Sequence, residues 1–292
     1  MPELPEVETI ARGLDQRVRE DVIESVWLGS KQEPLKSNAA EIVKALESAR
    51  IARVRRVGKH IVFDLEKERR GQRRLQRSGG KFSGAGTRTR AHKVSGPQWI
   101  VHLGMTGRMQ LCKPDEAIGK HTHAIAKLAS GRELRFVDPR RFGRLSVTQG
   151  FLAAGLEPLE VNVERFVDLF RGRKTPIKSA LLNQKLLSGV GNIYADESLF
   201  RAGIRPRRRA ASLTRENLRR LHGAVQDVLK EAIALGGSSV SDYVDANGEE
   251  GFFQLQHRVY GREGEPCLGC KTAVKRVVIA GRSSHYCPQC QK

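Results

Sequence analysis

The chain has 292 residues, with 52 Lys or Arg against 32 Asp or Glu, a formal charge of +20 and a pI near 10.3. At about 150 residues per domain this is long enough for more than one core, and 39% apolar residues set it apart from chains too polar to fold. No run approaches the roughly 18 uninterrupted apolar residues of a membrane span. The start, Met1 to Glu6, is acidic and broken by Pro2 and Pro5, unlike a signal peptide. A soluble, cytoplasmic protein is predicted. So large a positive excess predicts a polyanionic partner, nucleic acid before anionic membrane, since no strongly basic amphipathic helix is evident. Aromatics at 5% disfavour a single-strand stacking platform.

In chain order, Pro5 to Val18 reads as a helix with Val7, Ile10, Ala11, Leu14 and Val18 on one face and Glu6 and Glu8 at its positive end. A second short helix starts at Asn38, with Glu41 as a capping-box partner. Short β-type runs follow the Gly, Pro and Asn punctuation: Val22 to Leu28, Ile51 to Val57, Ile61 to Leu65, Trp99 to Leu103, Ala124 to Leu128, Leu134 to Val137 and Leu145 to Val147. Many short strands predict a β-sandwich or barrel. Between them, Lys67 to Gly96 holds ten Lys or Arg and one acid, either a solvated excursion or an arm for phosphates.

Beyond Gly155-Leu156-Glu157-Pro158 the pattern turns helical. Arg165 to Phe170, Ile177 to Leu187, Ile193 to Arg201 and Arg215 to Leu235 are the candidates, the last capped by Thr214. Gly236 opens a Gly-rich loop that runs to Phe252. The class is α+β, in three parts: 1–150 as a β-sandwich with flanking helices, 151–255 as a helical part, and 256–292 as a zinc-finger β-hairpin.

Four cysteines close the chain as Cys267-x2-Cys270 and Cys287-x2-Cys290. Paired turns of this spacing converge four thiolates on one Zn2+, with no open position, so the metal is structural. Two disulfides are the disfavoured alternative in a reducing compartment. Cys112 stands alone and is expected to be a small buried hydrophobe.

At the other end, an initiator Met before Pro is normally removed, which would leave Pro2 as a secondary amine titrating near neutrality. Such an amine can attack an aldehyde-like sugar carbon and form an iminium, with Glu3 beside it to carry protons. The bland alternative is that both residues merely precede a helix. Gly189-Val190-Gly191-Asn192 joins two helices, and Asn192 is placed to cap the second, to bind phosphate, or both. Asp138-Pro139-Arg140-Arg141-Phe142-Gly143 and the Met105 turn put Arg140, Phe142 and Met105 on turns. These are the residue types that wedge into a duplex around an extruded base.

Taken together, Pro2-Glu3-Leu4-Pro5-Glu6-Val7-Glu8-Thr9, the Lys59 strand pair, the Met105 turn, Asp138 to Gly143, Gly189 to Glu197 and the four-cysteine finger resemble the formamidopyrimidine-DNA glycosylase family. The resemblance spans the chain outside about residues 67–96. It implies a helix–two-turns–helix element around Gly189 to Gly191, and a monomeric bacterial enzyme of the cytoplasm and nucleoid acting on double-stranded DNA containing oxidised purines. Pro2 and Glu3 would be catalytic, Lys59 a proton donor in β-elimination, and Arg282 the residue of δ-elimination and phosphate binding. His121, Arg140, Arg173 and Asn192 would contact DNA, and Met105, Arg140 and Phe142 would form the wedge. Two departures stand out: the basic insertion, and Ser241 where some relatives carry a basic residue. The rivals are an oxidised-pyrimidine glycosylase of the endonuclease VIII type and a catalytically silent zinc DNA-binding protein.

Overall fold

The structure, a computed structural model, describes residues 1–67, 96–240, 243–246 and 248–292. The basic insertion between 68 and 95 and Ser241 lie outside the described residues.

Helix α1 (Leu4–Val18) opens the chain with Pro5 in its first turn, where a missing N–H costs no hydrogen bond. There follow β1 (Val22–Leu28), α2 (Ala39–Leu46), β2 (Ala49–Val57), β3 (His60–Lys67), β4 (Gln98–His102), β5 (Arg108–Cys112), β6 (Thr122–Leu128), β7 (Glu133–Val137) and β8 (Arg144–Thr148). The strands pair antiparallel in the order β5-β7-β6-β1-β2-β3-β4-β8. Strand β1 is where the sheet bends. It pairs with β2 only at Val22 and Ile23, and with β6 from Ile23 to Leu28, with a register shift between Ile23 and Ser25. Such an irregularity lets one strand serve two packed layers. Phe63, Trp99 and Val101 from one half share a single core with Ala126, Leu134 and Phe136 from the other, and Leu14 of α1 and Ile42 and Leu46 of α2 complete it.

The helical part holds α3 (Val163–Phe170), α4 (Ile177–Leu181), α5 (Asn192–Arg201) and α6 (Arg215–Ala234). A second core gathers Phe166, Phe170, Leu181, Tyr194, Leu221 and Val225. Leu4, the first residue of α1, belongs to this cluster rather than to the sandwich. The last part is the hairpin of β9 (Lys275–Ile279) and β10 (Arg282–Tyr286). Its core is only Val259, Val274, Cys267 and Cys287, with Phe200 of α5 and the other two cysteines packed against it.

Several expectations need correction. Strand β5 was not anticipated, because Arg108, Gln110 and Cys112 alternate with Met109 and Leu111 in a run too short and polar to stand out. Cys112 ends that edge strand only half-buried. The helix expected to run to Leu187 stops at Leu181. The stretch after it turns because side chains satisfy the backbone instead: Lys185 N–H donates to Asn183 Oδ1 at 3.0 Å, and Gly189 N–H donates to Gln184 Oε1 at 2.9 Å. Asn38 caps α2 by accepting from Ala40 N–H at 2.9 Å, without the reciprocal Glu41 bond. Thr214 caps α6 in a box closed by Asn217. Among the described residues no helix is long and apolar enough to cross a membrane.

Candidate active site

The site begins with how the chain's first residues are pinned. Leu4 N–H donates to the Gly189 carbonyl at 3.0 Å, Glu3 N–H donates to Glu6 Oε2 at 2.8 Å, and Glu3 Oε1 accepts from Ile193 N–H at 3.2 Å. The Glu3 carboxyl therefore rests on the N-terminus of α5, where free N–H groups and the helix dipole favour negative charge. Gly191 is the cap position of α5, and a Cβ there would lie 2.1 Å from Glu3 Cδ. Gly189 has φ +97, and a Cβ there would lie 2.8 Å from Leu4 Cδ1. Both glycines make room for α1. The sequence reading of Asn192 as a cap is corrected accordingly: it is the first residue of α5, and its Nδ2 donates to Ser283 Oγ at 3.3 Å.

Glu6 is the buried hub of this corner. Besides Glu3 N–H, its carboxylate accepts from the Tyr194 hydroxyl and, at 2.8 Å, from Ser238 N–H. One carboxylate thus fastens α1, α5 and the loop after α6.

Burial pushes the Glu3 carboxyl up to about 7; the nearby Lys59 ammonium opposes the rise and Glu6 adds to it. Burial also lowers the Lys59 ammonium, Glu3 and Glu6 oppose that shift, and Arg282 assists it. An acid and an amine thus face each other, both displaced toward neutral pH, as proton-transfer groups must be. Lys59 sits in the two-residue turn between β2 and β3, after Gly58 with φ +59, where a Cβ would lie 2.2 Å from Ser188 Oγ. Gly58 thus lets the turn approach the helical part closely, and Lys59 comes to the cavity that Glu3 also lines.

Pro2, Glu3, Lys59, Met105, Asn192 and Arg282 line one cavity of about 520 Å³ between the sandwich, the helical part and the hairpin. Glu3 Oε2 and Asn192 Oδ1 are buried there without a hydrogen-bond partner among the described residues. Arg282 opens β10 and is exposed.

Met105, on the cavity wall, and Phe142, on the neighbouring turn, are 43% and 51% exposed. The Arg140 guanidinium stacks over Phe142 at 4.9 Å. The fully buried Asp138 ties the two turns together. Its carboxylate accepts from Thr106 Oγ1 at 2.6 Å, Arg140 N–H at 3.2 Å and Gly143 N–H at 2.7 Å. Gly104 lets the turns touch, since a Cβ there would lie 2.6 Å from Gly143 N.

Three family models cover most of this chain: the formamidopyrimidine-DNA glycosylase N-terminal domain over residues 1–145, the formamidopyrimidine-DNA glycosylase H2TH domain over 154–244, and the zinc finger found in FPG and IleRS over 264–292. A formamidopyrimidine-DNA glycosylase of Solibacter usitatus is 42% identical over 297 residues, covering all of both chains. One from Desulfitobacterium hafniense is 41% identical over 305 residues, again with full coverage. The chain belongs to the formamidopyrimidine-DNA glycosylase family. Among solved structures, a variant of the Lactococcus lactis family enzyme in complex with DNA containing a formamidopyrimidine lesion superposes with a TM-score of 0.84 at 30% identity, covering 100% of both chains. The Thermus thermophilus family protein gives 0.81 at 39% identity, covering 99% of this chain and 98% of that one.

The four cysteines of this glycosylase-family chain fit a single zinc ion. Their sulfurs lie within 4.8 Å of one another, with Cys270 to Cys287 at 3.4 Å and Cys267 to Cys290 at 3.9 Å. Tetrahedral thiolate coordination at about 2.3 Å spaces sulfurs by about 3.8 Å. His121 precedes β6, half-buried, and its carbonyl accepts from Asp138 N–H at 2.9 Å, which places it beside the Asp138 to Gly143 turn. Arg173 follows α3, exposed and outside the cavity lining, with Nε donating to the Leu169 carbonyl.

Sequence reasoning missed the polar supports in the helical part. Asp196, fully buried, accepts from His285 N–H at 2.8 Å and pairs with Lys178 Nζ at 2.6 Å, while Lys178 also donates to the Ser283 carbonyl at 2.6 Å. Glu197 accepts from the N–H groups of Arg258, Val259 and Tyr260. These residues hang the zinc hairpin on α5. The available signal was two acids between Ala195 and Leu199 on a stripe otherwise apolar.

Proposed function

We propose that this chain is a bifunctional DNA glycosylase and abasic-site lyase of base excision repair, acting on oxidised purines, 8-oxoguanine and formamidopyrimidines, in duplex DNA. The observation that carries the reading is the buried Glu3 carboxyl, raised to about 7, beside Pro2 in a cavity that also takes in the Lys59 amine. Met1 is half-exposed at the same cavity, within reach of a peptidase. Its removal frees the Pro2 amine, whose lone pair attacks C1′ of an extruded nucleotide. Protonated Glu3 gives its proton to the sugar ring oxygen, the C1′–N bond to the base breaks, and the sugar opens as an iminium. The iminium draws electrons as a C2′ proton leaves and the 3′ phosphate departs by β-elimination; the conjugated iminium that results then loses its C4′ proton, and the 5′ phosphate departs by δ-elimination.

Lys59 is placed to move protons at the sugar, and Arg282 to hold the departing phosphate. Arg140, Phe142 and Met105 fill the gap left by the extruded base, and His121, Arg173 and Asn192 contact the backbone. Phosphate contacts position the duplex; selectivity comes from extrusion, which costs a few kcal/mol and least at a damaged pair. The zinc supplies only the closure of a hairpin too small to fold by burial. The working division is 1–150 for chemistry, 151–255 for the helix–two-turns–helix element, and 256–292 for the finger. The protein works as a monomer in the bacterial cytoplasm, at the nucleoid.

Borohydride reduction during reaction with an 8-oxoguanine:cytosine duplex tests this. A covalent adduct mapped to Pro2 supports it, and tight binding with no adduct would leave a silent DNA-binding protein. A parallel panel of oxidised pyrimidines, processed in preference, would move the substrate class to that of endonuclease VIII.

A further inference from the structure

Lys59 stands on a two-residue turn, and a flexible four-carbon side chain on such a turn needs its backbone held. The holding group is Arg56, three residues earlier on β2, whose side chain is only 6% exposed. Its Nε donates to Glu8 Oε2 of α1 at 2.7 Å. Its Nη1 and Nη2 fork onto Glu157 Oε2 and Oε1, both at 2.9 Å, and Nη1 also reaches the Gly58 carbonyl at 3.2 Å. That carbonyl belongs to the peptide group whose nitrogen is Lys59's own. Glu157 lies on the stretch joining the sandwich to the helical part. Its neighbour Leu156 accepts from Ser188 N–H at 2.9 Å, and Ser188 is the residue on which Gly58 packs.

We propose that Arg56 is a positioning residue for Lys59: it locks the Gly58–Lys59 turn to α1 and to the interdomain stretch through Glu8 and Glu157, so that the amine points at Glu3. A rigid planar fork with two carboxylates and a carbonyl is a geometry Lys cannot reproduce. The proposal rests on the reading above in which Lys59 transfers protons.

A misplacement of about 1 Å at a reacting group costs on the order of 100-fold in rate, so Arg56→Met should slow elimination at a preformed abasic site by tenfold to a hundredfold. Single-turnover rates are compared for the wild type, Arg56→Met, Lys59→Met and the double variant. If Arg56 acts through Lys59, the double variant is no slower than Lys59→Met. The alkaline limb of the elimination pH profile should also move upward in Arg56→Met, because an amine released toward solvent regains its ordinary affinity for protons.

Independent, multiplying losses would overturn the proposal, as would an Arg56→Met rate equal to wild type. Should Arg56→Met melt below the assay temperature, Arg56→Lys keeps the charge and most of the packing. It should show a smaller loss with the same non-additivity, and a wild-type rate in it would count against the fork. A Lys59→Met rate equal to wild type would instead remove Lys59 from the mechanism, and this proposal with it.

Discussion

Gly191→Ala isolates the contact between the cap of α5 and the reacting carboxyl. Gly191 has φ −128 and ψ −161, an extended conformation that alanine adopts freely, so the substitution adds one methyl without backbone strain. That methyl would lie 2.1 Å from Glu3 Cδ and 2.3 Å from Oε1, where ordinary non-bonded contacts are about 3.5 Å. The carboxyl must retreat by more than 1 Å. Its 3.2 Å bond from Ile193 N–H is then lost. Misplacing a general acid forfeits much of the roughly 100- to 10,000-fold such a group supplies, so single-turnover base release should fall by about tenfold to a thousandfold. Overpacking should also lower stability by about 1–3 kcal/mol. Release and elimination are followed separately on 8-oxoguanine and abasic-site duplexes, with a thermal melt alongside. Base release within threefold of wild type in a folded Gly191→Ala protein would refute the assignment of Glu3 as an acid held in place by α5.

Because Glu3 is raised from 4.5 to about 7, the folded state binds an extra proton between those values, and stability declines as pH rises through that window. Glu3→Gln should remove this dependence and raise stability at pH 8 by up to about 3 kcal/mol, read from denaturant melts at pH 5 and pH 8, while abolishing base release. In the wild type, base release that needs the protonated acid should fall as pH rises above about 7, checked by a single-turnover pH profile. Chelating the zinc should abolish duplex binding while the far-ultraviolet spectrum of the sandwich persists; full activity after complete metal removal would contradict it. Lys178→Met removes the ammonium partner of Asp196, whose side chain is buried at 0% exposure, and should cost about 3–5 kcal/mol. The double change Lys178→Met with Asp196→Leu should recover part of that loss.

The elements whose apolar residues repeat strictly were readable from the chain: α1, α6, and the strands from Val22 through Thr148 except β5. The cysteine spacing carried the metal site; Pro2, Glu3 and Lys59 were singled out through the family resemblance, and the structure brings them to one cavity. What could not be read was which polar groups are buried. Lys178, Asp196 and Glu197 look like surface residues, because the backbone N–H and carbonyl groups they satisfy lie far along the chain. The α4 boundary failed for the same reason: Asn183 and Gln184 replace helical hydrogen bonds with side-chain ones, and composition gives no sign of it. The glycines at 189 and 191 mark a turn in the sequence, but only the structure shows that what they make room for is Leu4 and Glu3.

The contacts that hold Glu3 and Glu6 in their buried corner reach across nearly the whole chain: Ile193, which donates to Glu3, is 190 positions away, and Ser238, which donates to Glu6, is 232 away. During synthesis at about 5–20 residues per second, the start of the chain therefore spends some 10–40 seconds outside the ribosome before α5 exists. For that interval Glu3 is a water-exposed carboxylate of ordinary acidity and Met1 lies open to a processing enzyme. The cavity is thus completed only when α5 and the later β10 have closed over the start of the chain, and on the proposed mechanism a nascent or half-folded copy lacks the protonated acid.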